Sequence, residues 1–125
     1  FIPLETRTAI ANAHSDAIFV SIHFNASPKR SASGVETYYY CYGSEPLAAA
    51  LFQELCSQRR CPRRGVKRAV FYVLSHNHCP ATLLELGFVS NRKENAFLQT
   101  PQARQQLAKQ IVAGIDRARG HSFLK

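Results

Sequence analysis

Two apolar segments, each interrupted by one ionisable side chain, constrain this chain most. In segment 17–23 apolar residues recur with the period of two that a β-strand requires, and His23 closes the segment. Segment 81–86 is almost continuously apolar, as is typical of a strand covered on both faces, and Glu85 interrupts it. The pattern therefore predicts a sheet in which two strands carry one imidazole and one carboxylate.

The rest of the chain predicts helices between strands. In chain order the pattern predicts a helix over 4–13, a loop over 27–34, a strand over 35–42, a helix after Ser44, a strand over 69–74 and a helix from Thr100 to Gly120. Ser44 is a candidate N-cap, and Pro46 is tolerated in the first helical turn. We therefore expect an α/β domain with a mixed sheet flanked by helices.

Length and composition agree with a single compact domain. The chain has 125 residues, of which 46% are apolar, enough to bury a core and too apolar for a disordered class. It contains no run of roughly 18 apolar residues, so no transmembrane segment is predicted. No repeat or second domain is visible.

His23 and Glu85 suggest metal chemistry, although each has a plainer explanation. Catalytic zinc usually takes three protein ligands of the His and carboxylate type, and a nearby carboxylate deprotonates a water at the fourth position. His23 would be a ligand and Glu85 the base. A single strand histidine is more often a hydrogen-bonded core residue, and Glu85 could form a structural salt bridge. A carboxylate on a buried strand, however, is costly without compensation.

Five blocks along the chain carry a family resemblance. They are RTAIAN (7–12), SIHFNA (21–26), GVETYY (34–39), RGVK (64–67) and PATLLELGFVSN (80–91). In this order they resemble the catalytic domain of the zinc-dependent N-acetylmuramoyl-L-alanine amidases of type 3, cell-wall hydrolases that cut the bond between muramic acid and the stem peptide. The resemblance implies a zinc cofactor, with His23 as a zinc ligand and Glu85 as the catalytic acid/base.

The resemblance also implies that part of the site is absent from this chain. In the family a glycine-rich loop carries a first zinc histidine and a helical region carries a zinc glutamate, and neither block is visible here. The chain begins at Phe1 and contains no Met. We therefore expect residues 1–125 to be the carboxy-terminal part of one phosphorylase/hydrolase-like amidase domain that lacks its first strand and helix. Two zinc ligands would then lie upstream.

Other candidate ligands form no recognised spacing, apart from one pair. They are His14, His76, His78 and His121, with the carboxylates Glu5, Glu36 and Glu94, which we interpret as exposed. The exception is His76-Asn77-His78, interpreted as a polar loop before Pro80 that could line the cleft.

Two asparagines follow the candidate site residues closely. Asn25 and Asn91 are candidates to orient the catalytic groups or the substrate, although asparagine at a strand end more often serves turn geometry.

The charge of the chain suits an anionic partner. Its net charge is +8, and the resemblance implies peptidoglycan as the substrate, a location in the periplasm or cell envelope of a secreted protein, and a possible activator or regulatory protein. No signal segment is visible. Basic residues concentrate in 58–68, a predicted loop without interleaved aromatic residues or a nucleic-acid motif, so no nucleic-acid partner is predicted. A solvated loop and a substrate-facing patch both remain open.

Cysteine and tyrosine patterns are less specific. Cys41, Cys56, Cys61 and Cys79 have no Cys-x-x-Cys spacing, so buried free thiols are the default interpretation and disulfides stay open. The tyrosines of 38–42 could stack on sugar or peptide, although packing is the usual role of aromatic residues in a strand.

One functional alternative also remains, a degenerate amidase-like module that binds peptidoglycan or a partner without cutting it.

Overall fold

The computed structural model describes residues 1–120 and has four strands and five α-helices in this range. The strands are β1 (Phe19–Asn25), β2 (Val35–Tyr39), β3 (Arg63–Arg68) and β4 (Ala81–Phe88). The helices are α1 (Leu4–Asn12), α2 (Glu45–Ser57), α3 (Tyr72–Ser75), α4 (Arg92–Leu98) and α5 (Pro101–Ala118), and a 3-10 turn at Tyr42–Ser44 precedes α2.

The strands form one mixed sheet in the order β1-β4-β2-β3. β1 is parallel to β4 and β2 is parallel to β3, whereas β2 and β4 are antiparallel. The predicted α/β fold with a mixed sheet flanked by helices is therefore confirmed. β4, the strand that carries Glu85, lies inside the sheet between β1 and β2.

The main core lies between one face of the sheet and helices α2 and α5. It includes Val35, Leu84 and Leu86 from the sheet, Leu47, Leu51 and Leu55 from α2, and Leu107 from α5. The apolar positions of α2 recur every four residues, which places them on one face of the helix. This core packs on one face of β2 and β4, so the opposite face of these strands is available for other side-chain contacts.

A smaller cluster covers part of the opposite face, where β4 begins. Val73 and Leu74 of α3 pack there on Ala81 and Leu83 of β4. Helix α1 joins this layer through Asn12, whose side chain donates to the carbonyl of His76 at 2.9 Å and accepts from the amide of His78 at 2.8 Å. Toward the end of β4, the same face carries the candidate site.

The predicted strand over 69–74 is wrong. The third strand along the chain is β3, inside the basic segment predicted to be a loop, and residues 72–75 form the short helix α3. β3 is an edge strand that pairs with β2, and charged side chains suit such an edge because they discourage pairing with other chains. Of the apolar residues after it, Val73 and Leu74 are buried through the helical turn of α3, whereas Val70 and Phe71 are exposed.

The predicted start of the last helix at Thr100 is confirmed, whereas the predicted cap at Ser44 is wrong. The hydroxyl of Thr100 accepts from the amide of Ala103 at 3.1 Å and caps α5. The side chain of Ser44 makes no capping bond to α2; its Oγ accepts from the amide of Ala81 at 3.1 Å instead. Ser44 thus joins α2 to the start of β4.

Two further predictions concern thiols and membrane spans. The four cysteines are free, but Cys56 is buried, Cys61 and Cys79 are half-buried, and Cys41 is exposed, so burial was predicted wrongly for Cys41. Among residues 1–120, the structure has no helix that is both long and apolar enough to cross a membrane.

Candidate active site

Three ionisable residues form one row across the sheet. His23 of β1 is the register partner of Glu85 of β4, and Glu85 is also the partner of Glu36 of β2. Directly opposed residues on neighbouring strands project to the same face of a sheet. The fold therefore brings the two predicted site residues together and adds Glu36, which the sequence alone had not placed beside them.

Glu85 occupies the centre of this row and lacks a hydrogen-bond partner. Its Oε2 atom is buried and makes no hydrogen bond to any described residue. Burial, together with repulsion by the nearby Glu36, raises the pKa of Glu85 to about 7. A carboxyl group with this pKa can both accept and release a proton near neutral pH.

His23 lies at the accessible end of the row. Its side chain is exposed on β1, an edge strand of the described sheet, and its Nε2 lies 2.8 Å from the Oγ of Ser21. The pairing register of β1 and β4 shifts immediately after His23, so that Asn25 pairs with Phe88. The imidazole is therefore open to a ligand on the same face as Glu85.

Glu36 was predicted to be exposed, and that prediction is wrong. Its Oε2 accepts hydrogen bonds from Lys67 Nζ at 2.7 Å and Arg64 Nε at 3.1 Å, and its Oε1 accepts from Asn25 Nδ2 at 2.9 Å and the Tyr38 hydroxyl at 2.8 Å. It is 3% exposed. Burial opposes its charge, but the bonds from Lys67, Tyr38 and Arg64 outweigh burial and lower the pKa of Glu36. Glu36 is thus a fixed anion beside Glu85.

Tyr38 strengthens this arrangement. Burial and the hydrogen bond to Glu36 raise the pKa of the Tyr38 phenol, which therefore stays protonated and remains a donor. Its ring meets that of Phe71 edge-on with centroids 5.1 Å apart. For Tyr38, packing and hydrogen bonding thus account for the aromatic side chain in the strand.

Asn25 and Asn91 have different surroundings. Asn25 donates to Glu36 and so touches the row directly. Asn91 caps α4: its Oδ1 accepts from the amides of Lys93 and Glu94, each at 3.1 Å, and its Nδ2 donates to the carbonyl of Arg30 at 3.2 Å. Asn91 therefore joins the loop before β2 to the helix after β4.

Glu94 was also predicted to be exposed, and it is buried. Its Oε1 accepts from the amides of Gly34 at 2.7 Å and Phe88 at 2.9 Å, and its Oε2 lies 2.6 Å from Nη2 of Arg59. Arg59 also donates to the carbonyl of Leu86. Glu94 thus joins the end of β4 to the loop that precedes β2, and the buried ion pair adds the segment between α2 and β3.

The His76-Asn77-His78 segment lies outside this row. It precedes β4 and contacts α1, while His76 stacks on Tyr72 with ring centroids 4.0 Å apart. Glu85 lies four residues beyond the start of β4, which corresponds to roughly 13 Å along a strand. His14 is exposed just after α1, and His121 lies outside the described residues.

The row fits part of a zinc site. Within residues 1–120 no group of three His, Cys, Asp or Glu side chains is arranged to hold a metal ion. A catalytic zinc site uses three protein ligands and an open position. The exposed His23 imidazole and the unpartnered buried oxygen of Glu85 suit one ligand and one base of such a site.

Comparison with known proteins decides the family. The family model described as N-acetylmuramoyl-L-alanine amidase matches residues 1–117. This chain belongs to that amidase family. The resemblance in the five sequence blocks is thereby confirmed.

The chain is also similar to an uncharacterized protein and to a solved amidase domain. The uncharacterized protein YqiI of Bacillus subtilis (strain 168) is 41% identical over 120 residues, which cover 93% of this chain and 58% of YqiI. The catalytic domain of CwlV, an amidase from Bacillus (Paenibacillus) polymyxa var. colistinus, superposes with a TM-score of 0.88 at 33% identity and covers 92% of this chain and 64% of that one.

A second solved structure gives the same result. The N-acetylmuramoyl-L-alanine amidase from Clostridium difficile 630 superposes with a TM-score of 0.91 at 32% identity, covering 98% of this chain and 68% of that chain. This chain spans 58% of the length of YqiI, little more than half of it.

Proposed function

We propose that this chain supplies the catalytic acid/base Glu85 and the zinc ligand His23 for hydrolysis of the amide bond between N-acetylmuramic acid and L-alanine in peptidoglycan. The observation that carries the proposal is the buried, unpartnered Oε2 of Glu85 in the same row as the exposed His23 imidazole. Membership of the amidase family supports an amide bond as the bond that is cut.

Zinc is part of this proposal, with His23 as one of its ligands. The other ligands would come from outside residues 1–120, because a catalytic zinc site needs three protein ligands and the described residues offer no such group. When bound, zinc would polarise the amide carbonyl and lower the pKa of a water molecule. The residues of this chain would orient that water and move its proton.

Glu85 would carry the proton between the two halves of the reaction. In its ionised form its Oε2 accepts a proton from the attacking water as the new carbon–oxygen bond forms. The protonated Glu85 then donates to the nitrogen of L-alanine as the carbon–nitrogen bond breaks. Water is consumed, a carboxylic acid and an amine are released, and no covalent enzyme intermediate is required.

The proposed setting is the bacterial cell wall. The probable cell wall amidase LytH of Staphylococcus epidermidis is 33% identical over 104 residues, which supports peptidoglycan as the substrate and a wall or envelope location. The CwlD amidase from Clostridioides difficile was solved in complex with the GerS lipoprotein. That complex supports a regulatory partner for this protein as well.

Two substitutions in the full-length protein test the assigned roles. Glu85→Gln should keep zinc but lower dye release from labelled peptidoglycan by roughly 100-fold or more, because a general acid/base contributes about 10²–10⁴-fold. His23→Ala should lose both zinc and activity. Zinc content by elemental analysis and dye release are measured on the same samples.

Matched controls come from exposed residues of the same types. Glu5→Gln on α1 and His14→Ala after it should keep wild-type zinc and release, because both side chains lie outside the row. Full activity in Glu85→Gln would remove the assigned base, and undiminished zinc in His23→Ala would remove the assigned ligand. A zinc-free, inactive wild type that still sediments with peptidoglycan would establish the non-catalytic binding module instead.

A further inference from the structure

We propose that Lys67 and Arg64 together bind a carboxylate of the stem peptide, a short distance along the peptide from the amide bond that is cut. This inference rests on the proposed function and adds a recognition site to it. The pair lies on β3, while Glu85 lies on β4 and His23 on β1. The substrate peptide would therefore extend across the sheet from β1 toward β3.

Two cations share one carboxylate oxygen of Glu36. Lys67 and Arg64 both form salt bridges with the same Glu36 oxygen, at 2.7 and 3.1 Å. The other oxygen of Glu36 already accepts from Asn25 and Tyr38. Among the described residues neither cation forms a salt bridge with Glu85, and both converge on a single oxygen of Glu36.

Both cations also have unused donors that face solvent. The side chains of Arg64 and Lys67 are 36% and 42% exposed, whereas that of Glu36 is 4% exposed. An ammonium has three donors and a guanidinium has five; Glu36 accepts one from each, and the Ser33 carbonyl accepts one more from Arg64 at 3.5 Å. A purely structural counter-ion would not need two half-exposed cations, but a carboxylate-binding pair would.

The pair is held in place before any ligand binds. The Arg64 guanidinium lies over the ring of Phe88 with its central carbon 4.9 Å from the ring centroid, and Glu36 fixes the Nε side of the same group. A cation with few alternative positions loses little entropy when a ligand binds.

Spacing across the sheet matches an extended peptide. The head groups of Lys67 and Arg64 reach Glu36 on β2, the strand next to β4, and neighbouring strands lie about 4.8 Å apart, so these head groups lie roughly 5–10 Å from Glu85. An extended peptide advances about 3.3–3.6 Å per residue. A carboxylate on the second or third stem residue would therefore reach Lys67 and Arg64 while the amide before the first residue lies at Glu85.

The test uses two soluble muramoyl peptides that differ only at the second stem residue, which carries either a free carboxylate or its carboxamide. In the full-length wild-type protein, kcat/KM should favour the acid by about tenfold, the value of one charge-assisted contact at a partly exposed site. Lys67→Gln and Arg64→Gln should each bring the acid-to-amide ratio close to one, mainly through a higher KM for the acid.

Two further variants separate recognition from structure. Lys67→Arg keeps the positive charge and should keep the preference for the acid. Lys109→Gln removes an exposed cation on α5, remote from β3 in the fold, and should leave the ratio at its wild-type value. Loss of a merely structural ion pair would lower the midpoint temperature of unfolding and lower kcat/KM equally for the acid and the amide peptide.

The outcomes distinguish this inference from the proposed function. A wild type that cuts both peptides equally well, or a ratio that survives both glutamine substitutions, overturns the carboxylate site while the amidase activity stands. A zinc-loaded wild type that cuts neither peptide nor peptidoglycan overturns the proposed function, and the carboxylate site falls with it.

Discussion

Glu36 and Glu85 are neighbouring carboxylates with opposite pKa shifts, and the difference lies in their hydrogen-bond partners. Glu36 accepts from four donors, two of them cationic, and its pKa is lowered. The buried Oε2 of Glu85 has no donor among the described residues, so burial dominates and the pKa rises to about 7. A fixed anion and a carboxyl group that titrates near neutral pH therefore lie side by side, because the first accepts hydrogen bonds from four donors and the second lacks a donor.

At the residue scale, the sequence identified Glu85 better than Glu36. A carboxylate inside the apolar run of 81–86 signalled a buried charge. Glu36 also stands between two residues that are fully buried, Val35 and Thr37, but one apolar neighbour is a weak pattern. Its cationic partners lie 28 and 31 residues further along the chain, and pairing at that separation depends on the fold.

Breaking the buried Arg59–Glu94 pair should be costly. Glu94→Gln leaves Arg59 without its counter-ion where both side chains are 7% exposed, so we expect a loss of about 3 kcal/mol in the free energy of unfolding, measured by urea denaturation. Glu54→Gln is the matched control, since its partner Arg117 is 50% exposed, and it should cost less than about 1 kcal/mol. Equal losses in both variants would show that burial does not distinguish the two pairs.

At the scale of elements, periodicity located helices better than edge strands. α5 was predicted from Thr100 onward and begins at Pro101 with Thr100 as its cap, because capping and helical period are local properties. β3 was missed because its residues are charged and its place at the sheet edge is set by pairing with β2, a tertiary contact. The apolar run after it signalled burial correctly for Val73 and Leu74 but not for the exposed Val70, and it did not predict the helical turn that buries the first two.

Close packing of α2 on α5 depends on one glycine. A Cβ atom added at Gly114 would lie 2.8 Å from Cδ2 and 2.9 Å from Cα of Leu51, closer than carbon atoms normally approach. Gly114→Ala should therefore destabilise the fold by about 1–3 kcal/mol, as overpacked cores do, although alanine favours helices. Thermal and urea unfolding of the full-length protein measure the change.

Gly43→Ala provides the comparison for this effect, because a Cβ at Gly43 meets no atom within 4 Å. That variant should lie within about 0.5 kcal/mol of the wild type, as most surface substitutions do. A Gly114→Ala protein as stable as the wild type would mean that α5 can move away from Leu51 without loss of packing.

At the scale of the whole molecule, the site is assembled by the order of the strands. His23, Glu85 and Glu36 lie 62 and 49 residues apart in the sequence, by subtraction of their numbers, yet the order β1-β4-β2 makes them neighbours. Through the resemblance of its blocks the sequence indicated His23 and Glu85 as candidate site residues, and the fold brings these two together. It could not predict the antiparallel pairing of β2 with β4, and that pairing brings the anion Glu36 beside Glu85.

Stability of the metal-free protein should respond to pH through Glu85. Its folded pKa of about 7 lies above the ordinary value of 4.5, so between these values the folded state binds more protons than the unfolded state. The contribution of Glu85 to the free energy of unfolding is therefore fully present below about pH 4.5 and is lost as pH rises through about 7. This loss amounts to up to about 3 kcal/mol. Urea unfolding of the chelator-treated full-length protein at several pH values should show this decline. Glu5→Gln should keep the decline and Glu85→Gln should lack it. A Glu85→Gln protein with the wild-type pH dependence would assign the decline to another group.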